Sequence, residues 1–132
     1  GRIYDPAASN PYWYHYPSLN VNAAGDLVGG FSGSRATEYI GAFWVGRKAN
    51  GQTTRPTLLQ AGRAYVVRAP YTVPPDNKPH ARWGDYSFTC VDPDGTKFWT
   101  VQEYAELDPA RPVKPNETEA NAWGTWITLH QP

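Results

Sequence analysis

The sequence predicts an all-β chain made of about two four-stranded antiparallel sheets, the second lacking its last strand. Three observations carry this. The 132 residues include 13 prolines and 12 glycines, a density of turn formers that leaves little room for helix. Several runs alternate in character with period two, the pattern of strands. One such pattern recurs at a fixed offset: Tyr16, Val21, Asn22 and Gly25 return 70 positions later as Tyr86, Val91, Asp92 and Gly95, which reads as a repeated structural unit.

The clearest element is a hairpin between Arg82 and Tyr104, RWGDYSFTCVDPDGTKFWTVQEY. Tyr86, Phe88 and Cys90 alternate with Ser87, Thr89 and Val91, so one face is expected to meet a core. Asp92-Pro93-Asp94-Gly95 supplies the turn, since proline presets φ, aspartate bonds its own backbone and glycine accepts positive φ. The return strand begins near Lys97 and runs to Tyr104.

Upstream, residues 1–15 read as a lead-in and the end of a preceding sheet, closing on the aromatic run Tyr12, Trp13, Tyr14, His15 and Tyr16. Core packing is the favoured role of that run, because large aromatics supply much of the buried area in small β folds, and a sugar-stacking platform is the alternative. Residues 16–62 hold a meander of four strands: Leu19–Asn22, Leu27–Gly33, Ile40–Arg47 and Thr57–Gln60. Asn50-Gly51 is a strong turn signal between the last two. Residues 63–81 form a connection in which Pro70, Pro74, Pro75 and Pro79 limit regular pairing. Residues 82–132 form the second set, with strands near Ser87–Asp92, Lys97–Tyr104 and Thr125–His130, a long polar loop at 106–122 and no fourth strand.

Lysine plus arginine and aspartate plus glutamate number 12 each, so no net field draws the chain to nucleic acid or an anionic membrane. No apolar run is long enough for a membrane span, and no signal peptide is visible. The absence of methionine in a chain beginning at Gly1 reads as a processed or excised piece of a longer product. Cys90 has no second cysteine to pair with and reads as a small buried hydrophobe rather than a reactive thiol.

Four-stranded antiparallel sheets repeated radially are the blades of a β-propeller, which needs about 4 to 8 of them to close. Two sets cannot close a ring, so the chain is expected to associate with itself or with another chain carrying the remaining blades.

Arg82-Trp83-Gly84-Asp85-Tyr86-Ser87, followed by Val91-Asp92-Pro93 and Phe98-Trp99, resembles the C-terminal part of bacterial secreted proteins with sialidase-like, BNR-type β-propellers. Tyr16-Pro17-Ser18-Leu19, Gly25-Asp26, Gly30-Phe31-Ser32-Gly33-Ser34 and Gly46-Arg47 look like the preceding blade. The likeness spans about Tyr16 to Ile127 and is weakest between Gly62 and His80. It implies a secreted or periplasmic propeller. Asp92-Pro93-Asp94-Gly95-Thr96 with Phe98-Trp99 is similar to the Asp-box of sialidases, a structural turn, with its spacing shifted.

Sialidase chemistry needs an arginine cluster, a tyrosine beside a carboxylate and an acid. Arg35, Arg47, Arg82, Glu103 and Tyr104 are possible parts, but adjacent residues on a strand point to opposite faces, so Glu103 and Tyr104 form no couple. No catalytic residue is assigned. The candidate ligand-binding set is Arg82, Trp83, Asp85 and Tyr86, a cation, aromatic faces and a carboxylate at the mouth of a strand. The competing role is a corner in which Asp85 binds backbone amides, Arg82 pairs with it and Trp83 packs between sheets. His15, His80 and His130 lack metal-ligand spacing, and Asp92 and Asp94 are explained by their turn, so neither a metal nor another cofactor is expected. Asn116-Glu117-Thr118 matches a glycosylation acceptor, relevant if the source glycosylates secreted proteins. The function expected is a non-catalytic binding or assembly module for a protein partner or a glycan. One wall of a glycoside hydrolase site and a structural subunit of an extracellular assembly are the alternatives.

Overall fold

A computed structural model of the chain describes residues 1–66, 72–73, 78–79, 83–107 and 122–132. The architecture is all-β, and no helix occurs among the described residues. Strands β1 (Trp13–Val21), β2 (Leu27–Arg35), β3 (Glu38–Arg47) and β4 (Thr57–Gln60) form an antiparallel sheet in chain order. Thr72–Val73 (β5) and Lys78–Pro79 (β6) pair briefly. The third sheet contains β7 (Phe88–Val91), β8 (Phe98–Glu106) and β9 (Ala122–His130), again antiparallel and in order. The four-plus-three arrangement of the main sheets is the one the turn signals predict; the described strands close neither a barrel nor a ring.

The repeated glycine turns share one geometry. Gly25 N–H donates to the Asn22 carbonyl at 3.0 Å and Gly95 N–H to the Asp92 carbonyl at 2.8 Å, both with positive φ. Gly51 makes the same bond to Lys48, so the geometry belongs to this turn type and does not by itself mark a repeat. The two main sheets face each other, β1 and β2 meeting β7, and β2 and β3 meeting β8.

A bulge in β1 decides which residues enter the space between the sheets. Tyr14 pairs with Gly33 and His15 with Ser32, then Ser18 pairs with Gly30, so Tyr16 and Pro17 together stand opposite Phe31. Tyr16 takes a φ of 51° to do this. The extra residue reverses the alternation. Tyr12 and Tyr14 therefore pack on Phe31 and Phe43 on the far face of the first sheet, while Ser18 and Asn20 point at the third sheet, reaching Thr89. The aromatic run thus serves the core through Tyr12 and Tyr14, whereas Trp13 is 71% exposed.

Between the two sheets lie Val28, Ala42 and Phe98, all buried, together with buried Ser32, Thr89, Thr100 and Gln102. Trp44 stacks on His130 with centroids 3.8 Å apart at one end of this layer. Gly30 is required at its centre, because a Cβ there would overlap the Gln102 amide and the Thr100 hydroxyl.

The expectation that the apolar face of the Tyr86-Phe88-Cys90 run meets the core is reversed. The inward face of β7 and β8 is the hydroxyl and amide one, Thr89, Thr100 and Gln102. Phe88 is 62% exposed and pairs with Val101, which pairs with Ile127, 61% exposed; Cys90, half-buried, pairs with Trp99, which pairs with Leu129. Mutual hydrogen bonding allows these polar side chains to be buried beside Phe98 at little cost, and Phe88, Trp99, Ile127 and Leu129 are left outside.

Candidate functional site

Of the residues expected to bind a ligand, the structure describes Trp83, Asp85 and Tyr86; Arg82 lies outside the described residues, as do Asn116 and His80. Trp83 is half-buried and donates its indole N–H to the Ser32 hydroxyl at 2.9 Å. It therefore ties the segment before β7 to the first sheet, the corner role. Gly84 takes a φ of 89° and lies so close to the Tyr16 ring that a Cβ would overlap it.

Backbone amides of this corner bind Glu103. Gly84 N–H donates to Glu103 Oε2 at 2.8 Å, and Tyr86 N–H also favours the carboxylate. Burial raises the Glu103 pKa; the Gly84 amide opposes the rise, nearby Asp85 adds to it, and the Tyr86 amide again opposes it. Tyr86 itself turns outward and stacks on Trp123, centroids 5.1 Å apart, with both rings more than half exposed. The two rings form an open aromatic surface beside buried Glu103 and Ala105 of β8. Position on the strand registers, not composition, is the signal for it: Trp123 pairs with Ala105 on the same face as Glu103.

As expected, Glu103 and Tyr104 form no couple. Tyr104 instead donates its hydroxyl to Glu106 Oε2 at 2.6 Å, two residues on and on the same strand face, and Arg63 pairs with Glu106 at 3.2 Å. A second tyrosine–glutamate pair joins Tyr12 and Glu38, with Arg35 both paired to Glu38 and placed over the Tyr12 ring at 4.4 Å. Burial and then the Glu38 hydrogen bond push the Tyr12 hydroxyl up to about 12. The spacing of residues 104 and 106 makes the first pair legible in the sequence; the second joins the residue before β1 to the start of β3 and is not. Arg35 and Arg47 sit at opposite ends of the β2–β3 pair, where Arg35 faces Glu38 and Arg47 faces Leu27, so they do not converge.

Asp92 and Asp94 are occupied by their turn. Asp92 Oδ2 accepts the Trp99 indole N–H at 2.6 Å, and Asp94 accepts from the Thr96 and Lys97 amides and the Lys97 ammonium. The Lys97 contacts foremost hold the Asp94 carboxyl well below the usual carboxylate range. No cluster of three or more metal-ligating side chains occurs among the described residues. No protein-family model, curated protein or solved structure matches the chain.

Proposed function

We propose that the chain is a non-catalytic binding or assembly module, part of a larger secreted, sialidase-like β-propeller whose remaining blades come from another chain or from further copies of this one. The observation that carries the reading is the inside-out third sheet. Its inward face buries Thr89, Thr100 and Gln102 beside Phe98, and on its outward face Phe88, Trp99, Trp123, Ile127 and Leu129 are open. An apolar sheet face of this kind is stabilised by a second sheet laid on it, and neighbouring blades of a propeller supply such a sheet. The open Tyr86–Trp123 pair favours a glycan as an additional ligand at the margin of that face.

The test is the native mass of the full chain as isolated, by light scattering on a sizing column, with denaturing mass spectrometry of every component. A multiple of the chain mass, or a second component of propeller-like mass, supports the reading, and F88S/I127T is then expected to release the chain. A compact wild-type monomer overturns it.

A second reading, one wall of a glycoside hydrolase site, is favoured by the Tyr12–Glu38 pair under Arg35, which joins a tyrosine hydroxyl, a carboxylate and a guanidinium. Hydrolysis of a fluorogenic sialoside by the assembled protein, abolished by Y12F, supports this alternative; turnover unchanged in Y12F removes it.

A further inference from the structure

On the other side of the molecule, the N-terminal segment crosses the outer face of the first sheet and leaves a cleft of about 650 Å³ between Arg2–Pro6 and the β3–β4 connection. Its volume is in the range of small-molecule sites. Tyr12, Tyr14 and Phe43 line it with aromatic surface, Tyr12 meeting Phe43 edge-on at 5.0 Å and Tyr14 meeting it at 5.5 Å. These contacts hold the rings in place without covering the cleft. The pocket therefore presents a rigid apolar wall at low entropic cost.

The charged groups are arranged asymmetrically. Arg2, Arg55 and Asp5 line the cleft. Asp5 is already engaged: its carboxylate accepts from the Tyr12 amide at 2.9 Å and the Ala7 amide at 3.0 Å, and these bonds, Tyr12 first, hold its pKa down. Arg2 lies over the Tyr4 ring at 5.0 Å, a contact that restrains the guanidinium, and its N–H donors meet no acceptor among the described residues. Neither Arg2 nor Arg55 meets a carboxylate among the described residues. Two guanidinium forks beside an aromatic wall match a planar anion, because each fork can present two parallel N–H bonds to a carboxylate.

We propose that this cleft binds a small organic carboxylate with a flat apolar body, the body against Tyr12, Tyr14 and Phe43 and the carboxylate between Arg2 and Arg55. The site is separate from the face assigned to assembly and does not depend on it.

The probe is 2-naphthoate, titrated into the full chain by calorimetry, with 2-naphthalenemethanol as its neutral counterpart. Saturable binding of the naphthoate is expected, at least about tenfold tighter than the alcohol, since charge-assisted bonds to carboxylate carry the difference. R2Q/R55Q is expected to remove that advantage, while R2K/R55K, which keeps the charge but not the fork, recovers only part of it. The variants alter exposed side chains, and an unchanged thermal transition verifies their fold. Absence of saturable binding, equal affinity for the alcohol, or unchanged naphthoate affinity in R2Q/R55Q overturns the proposal.

Discussion

The Gln102 side-chain amide donates across the gap between the two main sheets to the Ser18 hydroxyl at 3.0 Å. It also donates to Thr100 at 2.8 Å and accepts from Ser87 at 2.7 Å. A fully buried glutamine is thereby satisfied, and the same atoms tie β8 to β1 and to Ser87, the residue before β7. Gln102→Leu keeps most of the volume but strands three hydroxyl partners. A loss of about 1–3 kcal/mol in urea unfolding is expected; an unchanged midpoint would show that the polar layer contributes nothing.

Gly30 is the other half of this contact. Gly30→Ala places a methyl group on the Gln102 amide, and overpacking of this kind costs about 1–3 kcal/mol. Because the two positions touch, the effects should not add: in G30A/Q102A the smaller residue at 102 relieves the overlap with the amide and leaves that with the Thr100 hydroxyl, and the double variant should be less destabilised than the sum of the single ones. Strict additivity in denaturant midpoints would contradict the contact.

The interface should also weaken in acid. Burial lowers the His130 pKa from 6.5 to about 4, and its Nε2 has no hydrogen-bond partner. Between those values the unfolded chain takes up a proton that the folded chain refuses, so stability falls as pH drops from 6.5 toward 4. His15, lowered by burial in the same direction, adds to the slope. Urea midpoints at pH 7.5 and 4.5 should show the loss, and His130→Phe should reduce it.

Glu103 has the opposite linkage. Its pKa is raised from 4.5, so its contribution is full below 4.5 and is lost as pH rises through the higher folded value. Glu103→Gln removes this titration and can still accept the Gly84 amide. Relative to wild type, the variant should gain stability between pH 4 and pH 7. A difference independent of pH would show that Glu103 is no more strained than a solvated carboxylate.

Much of the strand order was legible locally. Gly25, Asn50-Gly51 and Asp92–Gly95 announce their turns because the residues that accept positive φ or bond their own backbone are those the turns require. The extent of the strands was less legible: β1 begins at Trp13, not Leu19, since pairing with β2 continues through a bulge that no local propensity signals. The corner role weighed for Trp83 matches its hydrogen bond to Ser32, but the part Glu103 plays there, accepting the Gly84 amide nineteen residues earlier in the chain, has no local signal.

By itself the sequence determined an all-β chain with meandering antiparallel strands, because turn chemistry and period-two alternation act over a few residues. Only the tertiary structure decided which face of each strand was inside. Burial depends on what lies across the gap, and here Ser18, Ser87, Thr89, Thr100 and Gln102 satisfy one another, and Ser32 meets Trp83 and the Glu103 carbonyl, so that these polar side chains are enclosed while Phe88 and Ile127 stay outside. The cleft at Arg2 and Arg55 was equally hidden, because it joins residues more than fifty positions apart whose proximity follows from the path of the chain across the first sheet.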